Sequence, residues 1–106
     1  MGNRNRTAGN GYELEFIKKI KHIWENAVSS RFESRSLDAA KVDVVNTPPF
    51  QFQCKKQMNT PSVKILDEMP EGNNVIIWGK TEKANVNFML KEEYVIMKLE
   101  TFIDLL

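Results

Sequence analysis

The chain changes hydrophobic period several times. Phe16, Ile17, Ile20, Ile23, Trp24 and Ala27 recur at helical spacing and predict a helix from about Gly11 to Asn26. From Val28 to Lys41 the chain is polar, with a short strand expected near residues 27–31 and a loop after it. Val42–Asn46 predicts a strand that Pro48-Pro49 stops, and Phe50–Lys55 predicts the next, so the two form a hairpin. Thr60-Pro61 reads as an N-cap followed by proline at the first helical position, opening a helix to about Met69. Val75–Trp78 is an apolar strand, Gly79–Asn85 a charged turn and Val86–Leu90 a further strand. Lys91–Leu106 closes the chain as a helix with Val95, Leu99, Phe102 and Leu106 on one stripe. The order α-β-β-β-α-β-β-α predicts an α/β fold, a mixed sheet of about five strands flanked by helices. Residues 1–10, rich in Arg, Asn and Gly, read as a flexible basic arm, and residues 11–106 as a single domain.

The same periods sort side chains by face. On the first helix Glu13 falls near the middle of the apolar side, while Glu15 points away with Lys18, Lys19 and His22. Burying an unpaired carboxylate is costly, so Glu13 needs a basic partner, a capping role or a metal. On the hairpin, period two places Phe50, Phe52 and Cys54 on one face and Gln51, Gln53 and Lys55 on the other. Cys54 is therefore expected to be a small core residue.

Composition narrows the chemistry. A chain of 106 residues makes one domain with a modest core. One cysteine excludes an internal disulfide, and one cysteine with one histidine excludes a Cys/His zinc site within the chain. Any metal must be held by oxygen, which favours magnesium, with manganese as its substitute. No apolar run approaches a membrane span, and Met1–Arg6 leads into no signal-peptide core, so a cytoplasmic protein without membrane contact is expected. The net charge of +1 hides an asymmetry. Residues 1–41 carry eight Lys/Arg against five Asp/Glu, residues 42–66 three against one, and residues 67–106 four against eight. A basic face in the first two thirds is compatible with nucleic acid, and equally with ordinary surface charge.

Hydrolysis of a phosphodiester needs a metal to polarise the phosphate and activate water. Asp43 supplies a carboxylate, and Gln53, returning beside it across the turn, a hard amide oxygen. Lys55, on the face of Gln53, can orient the attacking water or balance phosphate charge, and Glu13 can complete the shell. The plainer alternatives are an Asp43 salt bridge to Lys41 or Lys55, and a wet edge-strand face of Gln51, Gln53 and Lys55.

Asp43 followed by Gln53-Cys54-Lys55 resembles the nuclease motif PD-(D/E)xK. Gly9-Asn10-Gly11-Tyr12-Glu13-Leu14-Glu15 resembles the opening of the archaeal-type Holliday junction resolvases, in which a helical glutamate four positions after a glycine binds metal. That position is Glu13, the acid that helix geometry singles out. Ser29 to Ser36 looks like the family's DNA-contacting segment, with Ser34 or Ser36 as its functional serine. The likeness is close from Gly9 to Lys55 and loose beyond. It implies a restriction-endonuclease-like core and a Mg²⁺-dependent endonuclease that resolves four-way junctions as a homodimer. Glu13, Asp43 and Gln53 would be the metal ligands and Lys55 the assisting cation. Arg4, Arg6, Arg31, Arg35 and Lys56 would track phosphates. Val75–Trp78 and the terminal helix are candidate dimer elements, with intramolecular core as the alternative for either. Two departures stand out: Val42 replaces the usual proline, and Gln53 replaces the second acid. Either of the loop acids, Asp38 or Glu33, is a candidate to supply the missing charge. The alternatives are a nuclease acting on ordinary duplex DNA in repair or restriction, and a DNA-binding module with a degenerate site.

Overall fold

A computed structural model describes the backbone of residues 3–33 and 35–106, and the side chains of residues 11–33 and 35–106. Helix α1 spans Asn3–Ile20 and is followed by strand β1, Val28–Ser29, then short helices α2, Ser30–Glu33, and α3, Arg35–Ala39. Strands β2, Val44–Val45, and β3, Phe50–Gln57, lead to helix α4, Ile65–Glu68. Strands β4, Asn73–Ala84, and β5, Asn87–Ile96, precede helix α5, Leu99–Asp104. The five strands form one sheet in the order β1-β2-β3-β4-β5. β1, β2 and β3 pair antiparallel, β4 runs parallel to β3, and β5 returns antiparallel to β4. The α/β class and the five-stranded mixed sheet are as the sequence predicts.

The apolar side of α1 packs on the middle of this sheet. Tyr12, Phe16, Ile17 and Ile20 are buried with Ala27, Val44, Phe52, Val75 and Ile77. Phe16 meets Phe52 edge-on at 5.0 Å between ring centroids, and Trp24 packs edge-on against both Phe50 and Phe52. The Trp24 indole N–H donates to Pro48 O at 2.7 Å, tying the end of the α1 region to the β2–β3 turn.

Element boundaries depart from the sequence reading in several places, the first being the expected loop after β1, which holds the short helices α2 and α3. The α1 backbone begins at Asn3, inside the expected arm, and its α-helix ends at Ile20, short of Asn26. α4 is one turn long; Lys64 stands at its N-cap without a side-chain cap bond, so Thr60 does not open it. The charged segment after Gly79 is strand, since β4 runs to Ala84 and the turn contracts to Asn85-Val86, with Asn85 at φ 57°. Asparagine tolerates that left-handed region better than most residues. Residues 91–96 are strand instead of helix. Pairing with β4 overrides the local period: Tyr94 stacks on Trp78 at 5.2 Å, while neighbouring Glu93 accepts from Tyr12 Oη at 2.9 Å. The stripe Val95, Leu99, Phe102, Leu106 is thus split between a strand and a short helix, and all four residues are exposed. Of the two alternatives for Val75–Trp78, dimer element or intramolecular core, the strand takes the second and is buried within the chain. Among the described residues no helix is long and apolar enough to cross a membrane.

Candidate metal centre

The site arises where β2 gives out beside the longer β3. Asp43 stands just ahead of β2 and still behaves as a ladder residue: its N–H donates to Phe52 O at 2.8 Å, and its carbonyl accepts from Ser30 N–H at 2.9 Å. One step further along β3, its side chain takes over the ladder's role. Cys54 N–H donates to Asp43 Oδ2 at 2.8 Å. The carboxylate is thereby fixed against the backbone between Gln53 and Lys55. Strand alternation turns both of those side chains to the site, while Cys54 packs towards the core.

A cavity of about 220 Å³ opens there, lined by Glu13, Arg31, Asp38, Asp43, Gln53, Cys54 and Lys55. Glu13 enters it from α1 and is only 4 % exposed. Arg31, from α2, places Nε 2.8 Å from Glu13 Oε1 and 3.4 Å from Ser29 Oγ. The partner that a buried Glu13 requires is therefore a basic side chain. Asp38, from α3, is exposed and accepts from Ser30 Oγ at 3.3 Å. The lysine pairings considered for Asp43 do not form as ion pairs among the described residues; Lys41 instead binds Glu68 at 2.6 Å.

Burial raises both central carboxyls above their ordinary range. For Glu13, desolvation leads, Arg31 draws the value down, and Asp43 pushes it up again. For Asp43, desolvation leads, the Cys54 N–H opposes it, and Asp38 adds like-charge repulsion. Burial foremost, then Asp43 and Glu13, pushes the Cys54 thiol well up, consistent with a core residue and not a nucleophile.

Gln53 carries the least expected feature. It is 7 % exposed, and its side-chain oxygen Oε1 is buried without a hydrogen-bond partner. Gln51, two residues back, is satisfied, donating to Asn74 Oδ1 and Pro70 O at 2.7 and 3.0 Å. A wet edge strand is excluded for Gln53, since β3 is central in the sheet and pairs it with Ile76. An orphaned carbonyl oxygen lining a cavity with Glu13 and Asp43 makes a hard-oxygen donor set that suits Mg²⁺ or Mn²⁺. Among the described residues no three His, Cys, Asp or Glu side chains group as ligands of one ion.

The remaining predicted residues stand apart. Arg35 and Ser36 are exposed on α3, and Lys56 is half-buried on β3, where alternation turns it away from Lys55; none of the three lines the cavity. Glu33 lines a different cavity, beside Lys21 and Glu25. Ser34 and the side chains of Arg4 and Arg6 lie outside the described residues. Sequence reasoning missed Ser29 and Ser30 as part of the site. Both are fully buried, Ser29 Oγ accepting from Arg31 Nε and Ser30 N–H donating to the Asp43 carbonyl, contacts that no local sequence signal gives away. No family model matches the chain, and no curated protein or solved structure matches it either.

Proposed function

We propose that this chain is a metal-dependent endodeoxyribonuclease with a restriction-endonuclease-like core that resolves four-way DNA junctions. The observation that carries the reading is the buried, unpartnered Gln53 Oε1 in one cavity with Glu13, Asp43 and Lys55. A structural glutamine would have its carbonyl bonded, because an unsatisfied buried acceptor costs about 1–3 kcal/mol. Three antiparallel strands followed by a helix and a parallel fourth strand support the nuclease core. The branched substrate rests on the resemblance of Gly9–Glu15 and Asp43…Lys55 to the archaeal-type junction resolvases.

Glu13, Asp43 and Gln53 are the residues that would hold the cation. When bound, a divalent cation supplies Lewis-acid polarisation of a phosphate and a more acidic water. Lys55 brings an ammonium into the same cavity, suited to neutralising charge that builds on the phosphate or to orienting the attacking water. Arg35 and Ser36, exposed on α3, would contact the phosphate backbone, which would make affinity fall with salt. Two paired cuts call for two copies. Leu99, Phe102 and Ile103 on α5 are exposed apolar residues that a second copy would cover.

The test uses a synthetic four-way junction and a matched linear duplex with Mg²⁺. Symmetric junction cuts that vanish in Asp43→Ala and Lys55→Ala support the reading. Equal cutting of linear duplex reassigns the substrate to ordinary DNA. Junction binding without any cutting would leave a binding module, and cleavage surviving both substitutions would overturn the site.

A further inference from the structure

Charge in the cavity is arranged unexpectedly for a cation site. Glu13 and Asp43 share it with Arg31 and Lys55, and Arg31 Nε lies 2.8 Å from Glu13 Oε1, so two carboxylates are offset by two cations. Gln53 adds an oxygen and no charge. A divalent ion would meet an electrically neutral shell were it not for Asp38, the remaining ionisable side chain with an acidic charge that lines the cavity. Asp38 is held in place through the site's own backbone. Ser30 donates its hydroxyl to Asp38 Oδ1 at 3.3 Å, and its N–H to the Asp43 carbonyl at 2.9 Å. Val42 N–H closes α3 back onto β2 by donating to Leu37 O at 2.9 Å.

We propose that Asp38 is a positioning residue of the metal centre, supplying from α3 the negative charge that Gln53 withholds on β3 and engaging the cation through water. This rests on reading the cavity as a cation site. Engagement through water follows from two observations. Asp38 is solvent-exposed, and it does not group with Glu13 and Asp43 as a direct three-carboxylate cage. Magnesium keeps several of its waters, and a carboxylate that accepts from them contributes charge without losing its own hydration. Glu33, the other loop acid, lines a different cavity and has no such role.

The test is Mn²⁺ binding by isothermal titration with the whole chain, without DNA. Asp38→Asn keeps an acceptor for the Ser30 hydroxyl and is expected to weaken Mn²⁺ binding on the order of 10- to 100-fold, as removal of an outer-shell partner does. Glu33→Gln should bind as wild type does, and Gln53→Glu should restore binding to Asp38→Asn by returning the charge to β3. Asp43→Asn separates the two levels of the argument. If Asp43→Asn abolishes binding while Asp38→Asn binds like wild type, the role of Asp38 is overturned and the cation site stands. If wild type fails to bind Mn²⁺, or Asp43→Asn binds unchanged, the cation site falls and Asp38 with it. Loss in Asp38→Asn that Gln53→Glu does not restore would mean that charge is not what Asp38 supplies.

Discussion

Arg31 Nε stands 2.8 Å from Glu13 Oε1, so a carboxylate proposed to bind metal is already paired with a cation of the same chain. The two claims on Glu13 compete. Arg31→Ala leaves a nearly buried carboxylate with little beyond Ser29 to stabilise it. The metal-free protein should lose about 2 kcal/mol, the worth of a hydrogen bond to a charged group. Mg²⁺ should then raise the melting temperature of Arg31→Ala by more than it raises that of wild type, since no internal cation has to yield. Differential scanning calorimetry with and without MgCl₂ decides this; equal increments in the two proteins would contradict competition.

The raised carboxyl of Asp43 makes a prediction about pH. Its ordinary value is 3.8, and burial lifts it in the folded chain. A group shifted upwards on folding stabilises the fold fully below its unfolded value and loses that contribution as pH rises through its folded value. Ionised Asp43 therefore costs stability at neutral pH when no metal is present. Asp43→Asn retains an acceptor for the Cys54 N–H, so the variant should be more stable than wild type at pH 7.5. The advantage should close as pH falls towards 4. Urea midpoints measured in EDTA across that range test the sign, and a variant less stable at pH 7.5 would refute it.

Gly79 on β4 is a packing requirement. A Cβ there would stand 2.7 Å from Tyr12 Cζ and 2.9 Å from Leu90 Cδ1. The Tyr12 ring cannot move aside easily, being buried between its own helix α1 and the sheet with its hydroxyl on Glu93. Gly79→Ala should cost about 1–3 kcal/mol, the usual range for overpacking. In a Tyr12→Ala background the same substitution should cost much less, because the remaining neighbour is the tip of a flexible side chain. Additive penalties in urea denaturation would show that the ring is not the obstacle.

The sequence discloses part of this arrangement and hides the rest. The faces of α1 and β3 were legible, since Glu13, Phe16, Phe52, Gln53 and Lys55 lie where periods of 3.6 and 2 place them. The β4–β5 hairpin was legible only in part: strands are expected at Val75–Trp78 and Val86–Leu90, but not their extension through Lys80–Ala84 and residues 91–96. Its outer half, from Lys80 to Leu90, is polar or exposed, so no local alternation announces its full length, and pairing with β4 is what holds residues 87–96 extended. The site shows the same division. Asp43, Gln53 and Lys55 follow from a short motif, whereas Arg31 and Asp38 reach the cavity through α2 and α3, whose placement depends on Ser30 bridging to Asp43. Nothing in their spacing encodes that bridge.

Gln53 offers the sharpest separation between structure and function. Its Oε1 is buried and unbonded, at the centre of the sheet opposite Ile76. If the glutamine served the fold, replacing it would cost stability. If it is kept as a metal donor, the metal-free fold bears an unsatisfied acceptor for that purpose. Gln53→Met keeps the unbranched shape and removes the carbonyl. The metal-free variant should therefore be as stable as wild type, or more stable by up to about 1–3 kcal/mol, the cost of such an orphan. Its Mn²⁺ binding should fall at the same time. Urea denaturation in EDTA reads the first quantity and titration calorimetry the second. A destabilised Gln53→Met that still binds Mn²⁺ would make Gln53 a structural residue and remove it from the metal centre. A stable variant that has lost the ion would show that this position trades fold stability for a ligand.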